Sequence, residues 1–122
     1  MSDIPNRFSL LKGLVMVTPG IVTNWYPNVA FFDTVTGEQK IILDGPNTAV
    51  LYKALKYLAD KEDRSSDEVL DSVVVSGLKY HLSQVRGYLY LSPAGKFWNN
   101  WAASIAVLDI SHMNKLIQTI ES

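Results

Sequence analysis

Cysteine is absent from the 122 residues. That excludes a disulfide framework, a thiolate metal site and a cysteine nucleophile, and it suits a reducing compartment. No apolar run approaches the roughly 18–20 residues of a membrane span, so no membrane partner is expected. The opening MSDIPNRF puts an acid and a proline where a signal peptide carries basic residues and then a long apolar run, and the expected location is the cytoplasm, that of the host if the chain is viral. Motifs of catalysis are missing as well. There is no GxxxxGKS/T phosphate loop, no GxGxxG and no GxSxG elbow. His81 and His112 are the only histidines, and no HxxxH or carboxylate cluster accompanies them, so neither a metal nor a cofactor is expected. The expectation is a protein that is not an enzyme.

Acidic residues are missing from two long segments. None lies between Asp3 and Asp33, and none between Asp71 and Asp109, whereas ADKEDRSSDEVLD (59–71) concentrates them. The formal net charge is −1, too low for a protein that grips duplex DNA mainly through phosphate contacts. Its distribution matters more than its sum, because the acid-free segments carry Arg7, Lys12, Lys79, Arg86 and Lys96.

With 48% hydrophobic and 19% charged residues, the chain reads as one globular domain over 1–122, built from two similar halves at about 7–63 and 65–122. FSLLKGLVMV (8–17) reads as a strand, Pro19-Gly20 as a turn and IVTNWY (21–26) as a second strand ended by Pro27. NVAFFDTVTGEQKIILD (28–44) reads as a hairpin turning at Thr36-Gly37, with Asp33 and Glu38 on its rim. A helix follows, with Pro46 in its first turn, Asn47 or Thr48 as cap, and Leu51, Ala54, Leu55 and Leu58 on its apolar stripe. Ser65 and Glu68 form a capping-box pattern, and apolar residues from Val69 to Val85 recur with helical spacing up to Gly87, so a second helix is predicted there against the β-preference of Val73-Val74-Val75. His81 then falls at the boundary of that helix's apolar stripe.

YLYLS (88–92) alternates, with Tyr88 and Tyr90 opposite Leu89 and Leu91. KFWNNWAASIAVLD (96–109) reads as a long strand, loosened near Asn99, with Phe97 and Trp101 sharing a core face with Ile105 and Val107. Asp109 or Ser111 caps a last helix with Met113, Leu116, Ile117 and Ile120 inward and His112 exposed. The fold class is α+β: antiparallel sheets from two strand-rich halves, each followed by an amphipathic helix, with the helices packed on one side.

Single-stranded nucleic acid is bound by flat side chains that stack on bases and a few cations that meet phosphates, and this does not require a strongly basic protein. The acid-free segments, joined by Lys40 from the hairpin, supply such a set: Lys12, Trp25, Tyr26 and Lys40 in the first half, and Lys79, Tyr80, Arg86, Tyr88, Tyr90, Lys96 and Trp98 in the second. Stacking is expected of Trp25, Tyr88, Tyr90 and Trp98. Packing within a sheet explains Phe31, Phe32, Phe97 and Trp101, and an exposed aromatic set equally suits a homo-oligomer interface.

KIILDGPNTAVLYKAL (40–55) and ASIAVLDISHMNKLIQ (103–118) both lead a strand through a polar cap into an amphipathic helix. In this respect the chain resembles the Whirly, PUR-type and transcriptional-coactivator group of single-stranded-DNA binders, and is similar in style to small phage-encoded single-stranded-DNA-binding transcription regulators. The resemblance implies sheets that bind the strand and helices that pack behind them or build a dimer or tetramer. It implies a homo-oligomer acting in transcription regulation or replication, with single-stranded DNA as partner and RNA polymerase or another protein as a further candidate. Two alternatives stay open. One is an adaptor or inhibitor of a host factor that uses the aromatic patch or the acidic segment 59–71. The other is a small-ligand or weakly enzymatic domain with a pocket between sheet and helices.

Overall fold

The computed structural model describes residues 6–19, 26–95 and 97–121. The first half is an antiparallel sheet of β1 (Asn6–Ser9), β2 (Leu14–Thr18), β3 (Asn28–Phe32) and β4 (Gln39–Leu43) in that order, followed by helix α1 (Gly45–Ala59). The second half repeats the plan with β5 (Glu68–Val75), β6 (Leu78–Val85), β7 (Tyr88–Pro93) and β8 (Ala106–Leu108), followed by α2 (Ile110–Glu121). The expected α+β class is what is found: two four-stranded antiparallel sheets, each followed by a helix. Both sheets and both helices feed one apolar cluster, which takes in Val15, Phe31, Leu43, Leu55, Leu82, Leu89, Leu108 and Leu116. Burying each of these leucines contributes about 1.5–3 kcal/mol.

Several expectations are corrected. The strand predicted over 8–17 is two strands. Leu10 N–H donates to the Gly13 carbonyl (3.0 Å), and Gly13 takes φ +94° to close the turn. A Cβ on Gly13 would also lie 2.9 Å from the Ile105 carbonyl, so glycine is required twice over. At this crossing the sheets touch through a Lys12–Val107 bridge: Val107 N–H donates to the Lys12 carbonyl at 3.0 Å, and Lys12 N–H to the Val107 carbonyl at 3.4 Å.

The helix predicted over 65–87 is instead the β5–β6 hairpin and its turn into β7. Ser76-Gly77 (φ 54° and 80°) and Arg86-Gly87 (φ 52° and 89°) are both two-residue turns with left-handed central residues, the geometry that matches strand twist. Inward Val73, Val75, Tyr80 and Leu82 follow a period of two on either side of the first turn, and the β-branched valines prevail. Ser65 starts no helix; its N–H and Oγ donate to Asp63 Oδ1 (3.0 and 2.7 Å) in the connection before β5.

The strand predicted over 96–109 shrinks to β8. Ahead of it stand a turn and a 3₁₀ helix (Trp101–Ala103), where the Asn100 side chain accepts the Ala102 N–H at 2.9 Å. That cap interrupts the alternation, and the core face predicted for Phe97 and Trp101 is lost: they are 54% and 46% exposed. The 21–26 strand lies almost entirely outside the described residues.

The β3–β4 hairpin and both amphipathic helices stand as expected. The cap expected at Asn47 or Thr48 is corrected: the N-cap of α1 is Asp44, with Pro46 in the first turn. Both expected residues lie inside the helix, where Thr48 Oγ1 donates to the Leu43 carbonyl (3.2 Å) and Asn47 reaches across to the Val74 carbonyl (3.1 Å). Asp109 caps α2 by accepting the His112 N–H at 2.8 Å. His112 is half-buried rather than exposed: its Nδ1 lies 3.0 Å from the same Asp109 oxygen, which the backbone already occupies.

Candidate nucleic-acid interface

Strand alternation gives the second sheet two faces. Leu82, Leu89, Leu91, Ala106 and Leu108 point into the core, while Val85, Tyr90 and Val107 form a smaller cluster on the outer face. Tyr90 pairs with Ser83 on one side and Val107 on the other, and Tyr88 pairs with Val85. In the connection between β7 and β8, residues 97–105 fold back over this face. Trp98 packs on Val85, Tyr90 and Val107, and Ser92 Oγ donates to the Trp98 carbonyl at 3.2 Å. The Trp101 ring meets Tyr90 edge-on, with centroids 6.5 Å apart and planes at 79°. Ser83 Oγ and His81 Nδ1 are buried on this sheet without a hydrogen-bond partner among the described residues.

Lys12 fixes the 3₁₀ helix in place. Its Nζ donates to the carbonyls of Trp101 (2.6 Å) and Ala102 (3.1 Å) and stands 5.9 Å from the Trp101 ring centroid. Partial burial pushes this ammonium below its ordinary value, and the charge of Asp33 opposes that shift. Beside it runs a groove of about 360 Å³ lined by Lys12, Asp33, Lys40, Ala102 and Ser104 among others. Lys40 also pairs with Glu38 at 3.2 Å.

The candidate residues do not all converge. Trp98 and Tyr88 share the outer face of the second sheet, with Tyr88 39% exposed. Arg86 sits at the β6–β7 turn, close enough to act electrostatically on the Tyr90 hydroxyl. Tyr90 is corrected: it points outward as alternation requires, but the folded-back connection leaves it 7% exposed, and burial raises its hydroxyl pKa. Tyr80 is corrected as well, since it faces the main core. Lys79 is exposed near the β5–β6 turn, and Tyr26 packs on Tyr52 with centroids 5.7 Å apart. Trp25 and Lys96 lie outside the described residues.

Two features were missed. Trp101 and Phe97 are surface residues, and the signal was present in Asn99-Asn100, a pair that favours caps and turns over strands. The segregation of charge along the chain is also undone in space. Asp67 Oδ1 accepts the Arg86 N–H (3.0 Å), and Asp33 is close enough to both groove lysines to feel their charges. Carboxylates thus reach both ends of the patch.

Among the described residues no group of three His, Asp or Glu side chains is placed to hold a metal, and no helix is long and apolar enough to cross a membrane. No protein-family model, curated protein or solved structure matches the chain.

Proposed function

We propose that this protein binds single-stranded DNA, on the plan of the Whirly and PUR-type group, and acts as a homo-oligomer in transcription regulation or replication. One observation carries the reading. The β7–β8 connection leaves Trp101 and Phe97 about half exposed beside the half-buried Trp98, with the Lys12 ammonium next to the Trp101 ring. Exposed aromatic rings serve bases that have left a duplex, and stacking contributes about 1–3 kcal/mol per base without regard to sequence. Lys12, Lys40 and Arg86 supply local positive charge on a chain whose net charge of −1 disfavours duplex binding. Avidity in a dimer or tetramer would multiply a modest single site.

A second reading, a protein–protein adaptor, draws on the opposite chemistry. Asp67, Glu68 and Asp71 are exposed at the start of β5, and a cavity of about 330 Å³ opens between that strand and α1, lined by Lys53 and Tyr57 among others.

Titration with a labelled oligo-dT, a duplex of equal length and an RNA, at two salt concentrations and with tryptophan emission followed, tests the first reading. Saturable quenching by the single strand with a shallow salt slope supports it. Absence of binding at low salt overturns it and leaves the adaptor.

A further inference from the structure

We propose that the groove beside Trp101 is a base-reading pocket that prefers guanine, an inference that rests on single-stranded-DNA binding at this site. Three unspent polar capacities face it. The Lys12 ammonium has three N–H donors, of which two go to the Trp101 and Ala102 carbonyls. Lys40 gives one of its three to Glu38. Asp33 places both of its side-chain hydrogen bonds on a single oxygen: Oδ1 accepts the N–H of Val35 (2.7 Å) and of Thr36 (3.0 Å), while Oδ2 accepts none among the described residues. The groove therefore offers ammonium donors beside one open carboxylate oxygen, in about 360 Å³, within the range of small-ligand pockets.

The bases differ in how well they match that set. Guanine presents O6 and N7 as acceptors for a lysine and, beside O6, the adjacent N1–H and N2–H donors for a carboxylate. Thymine has a single imide donor between two acceptors. Adenine has no carbonyl for the ammonium. Cytosine has its N4 amino group but no second donor beside it. Ala102, the residue after Trp101, lines the groove, which puts the groove next in sequence to the proposed stacking ring. The hydrogen bonds from the Thr36 and Val35 amides, foremost, hold the Asp33 carboxyl below its ordinary value, and the acceptor stays ionised at neutral pH.

The test is competition among oligo-dT probes of about a dozen nucleotides in which one central thymine is replaced by guanine, inosine, cytosine or adenine. The guanine probe should bind about fivefold or more tighter than unsubstituted oligo-dT, and tighter than the inosine probe, which lacks only the N2 amino group. Asp33→Asn keeps an oxygen for the Val35 and Thr36 amides but presents an amino group in place of Oδ2. It should bring the ratio of guanine to thymine affinities to about one, with the fold checked by thermal melting. The guanine–inosine comparison uses the unmodified protein and stands even if that variant fails to fold. Equal binding of all probes, a tighter cytosine probe, or equal guanine and inosine probes overturns the groove assignment while leaving single-stranded binding intact. No binding by any probe at low salt overturns the binding function itself, and the groove falls with it.

Discussion

The outer faces of the two sheets begin from the same plan and end differently. In the first, β3 turns into β4 through residues 33–38, and the outward side chains of Leu14, Met16 and Phe32 stay half-buried with Ile42 40% exposed. In the second, residues 94–105 separate β7 from β8, a connection twice as long, and its Trp98 and Trp101 pack on the sheet. There Val85, Tyr90 and Val107 are sealed at 4%, 7% and 0% exposure, and the aromatic surface has moved outward to Trp101 and Phe97. On the proposed reading the binding chemistry is carried by the loop, while the repeated sheet and helix act as its support, the usual division between a scaffold and its binding segments.

The most severe way to break this contrast is to remove the residue under the loop. Tyr90→Ala should cost about 3–5 kcal/mol in denaturant unfolding, since it deletes a buried ring that supports both Trp98 and Trp101. Ile42→Ala on the other sheet should cost under about 1 kcal/mol, because that side chain is already partly in water. Similar losses at the two sites would mean that the first sheet's face is covered in solution.

Gly13→Ala comes next. A left-handed φ costs a non-glycine residue about 1–3 kcal/mol, and the 2.9 Å approach to the Ile105 carbonyl adds to that. The expected loss is about 2–4 kcal/mol by chemical denaturation, together with weakened oligonucleotide binding, because Gly13 adjoins the lysine that holds the 3₁₀ helix. A loss no larger than that of Ile42→Ala would mean that the two halves do not depend on this crossing.

Much of this architecture could be read from residues alone. Leu51, Ala54, Leu55 and Leu58, and then Met113, Leu116, Ile117 and Ile120, lie one helical turn apart and are buried on α1 and α2. The turn at Gly37 (φ +76°) and the opposition of Tyr88 and Tyr90 to Leu89 and Leu91 were equally legible. Residues 65–87 were misread because apolar spacing across two-residue turns imitates a helix, and the Ser76-Gly77 and Arg86-Gly87 pairs carried the correction. The role of Lys12 was beyond reach, since its partners are 89 and 90 positions away. So was the burial of Tyr90: alternation tells which way a side chain points, not what folds over it.

On the binding side, Trp101→Ala should weaken oligo-dT binding by about 1–3 kcal/mol, as read from fluorescence anisotropy. Phe32→Ala, on the outer face of the first sheet, should change it by less than about 0.5 kcal/mol. Comparable losses would extend the binding surface over both sheets and dissolve the contrast.

The gentlest probe is acid. Hydrogen bonds from the Thr36 and Val35 amides, foremost, lower the Asp33 pKa from its ordinary 3.8, and Lys40 and Lys12 lower it further. A carboxyl with a depressed folded pKa binds its proton more weakly when folded than when unfolded, so it stabilises the fold fully above the unfolded value. That contribution is lost as pH falls through the depressed folded value. Asp33→Asn cannot titrate, so the stability gap between the original protein and this variant should be constant from neutral pH down to about pH 5 and should narrow below pH 4. Tyr90→Ala, which alters no carboxylate, should show no such narrowing. Denaturant midpoints measured across this range decide it: a gap that widens in acid would mean that the folded Asp33 pKa is raised instead of lowered, and that the Thr36 and Val35 amides do not hold its carboxylate in solution.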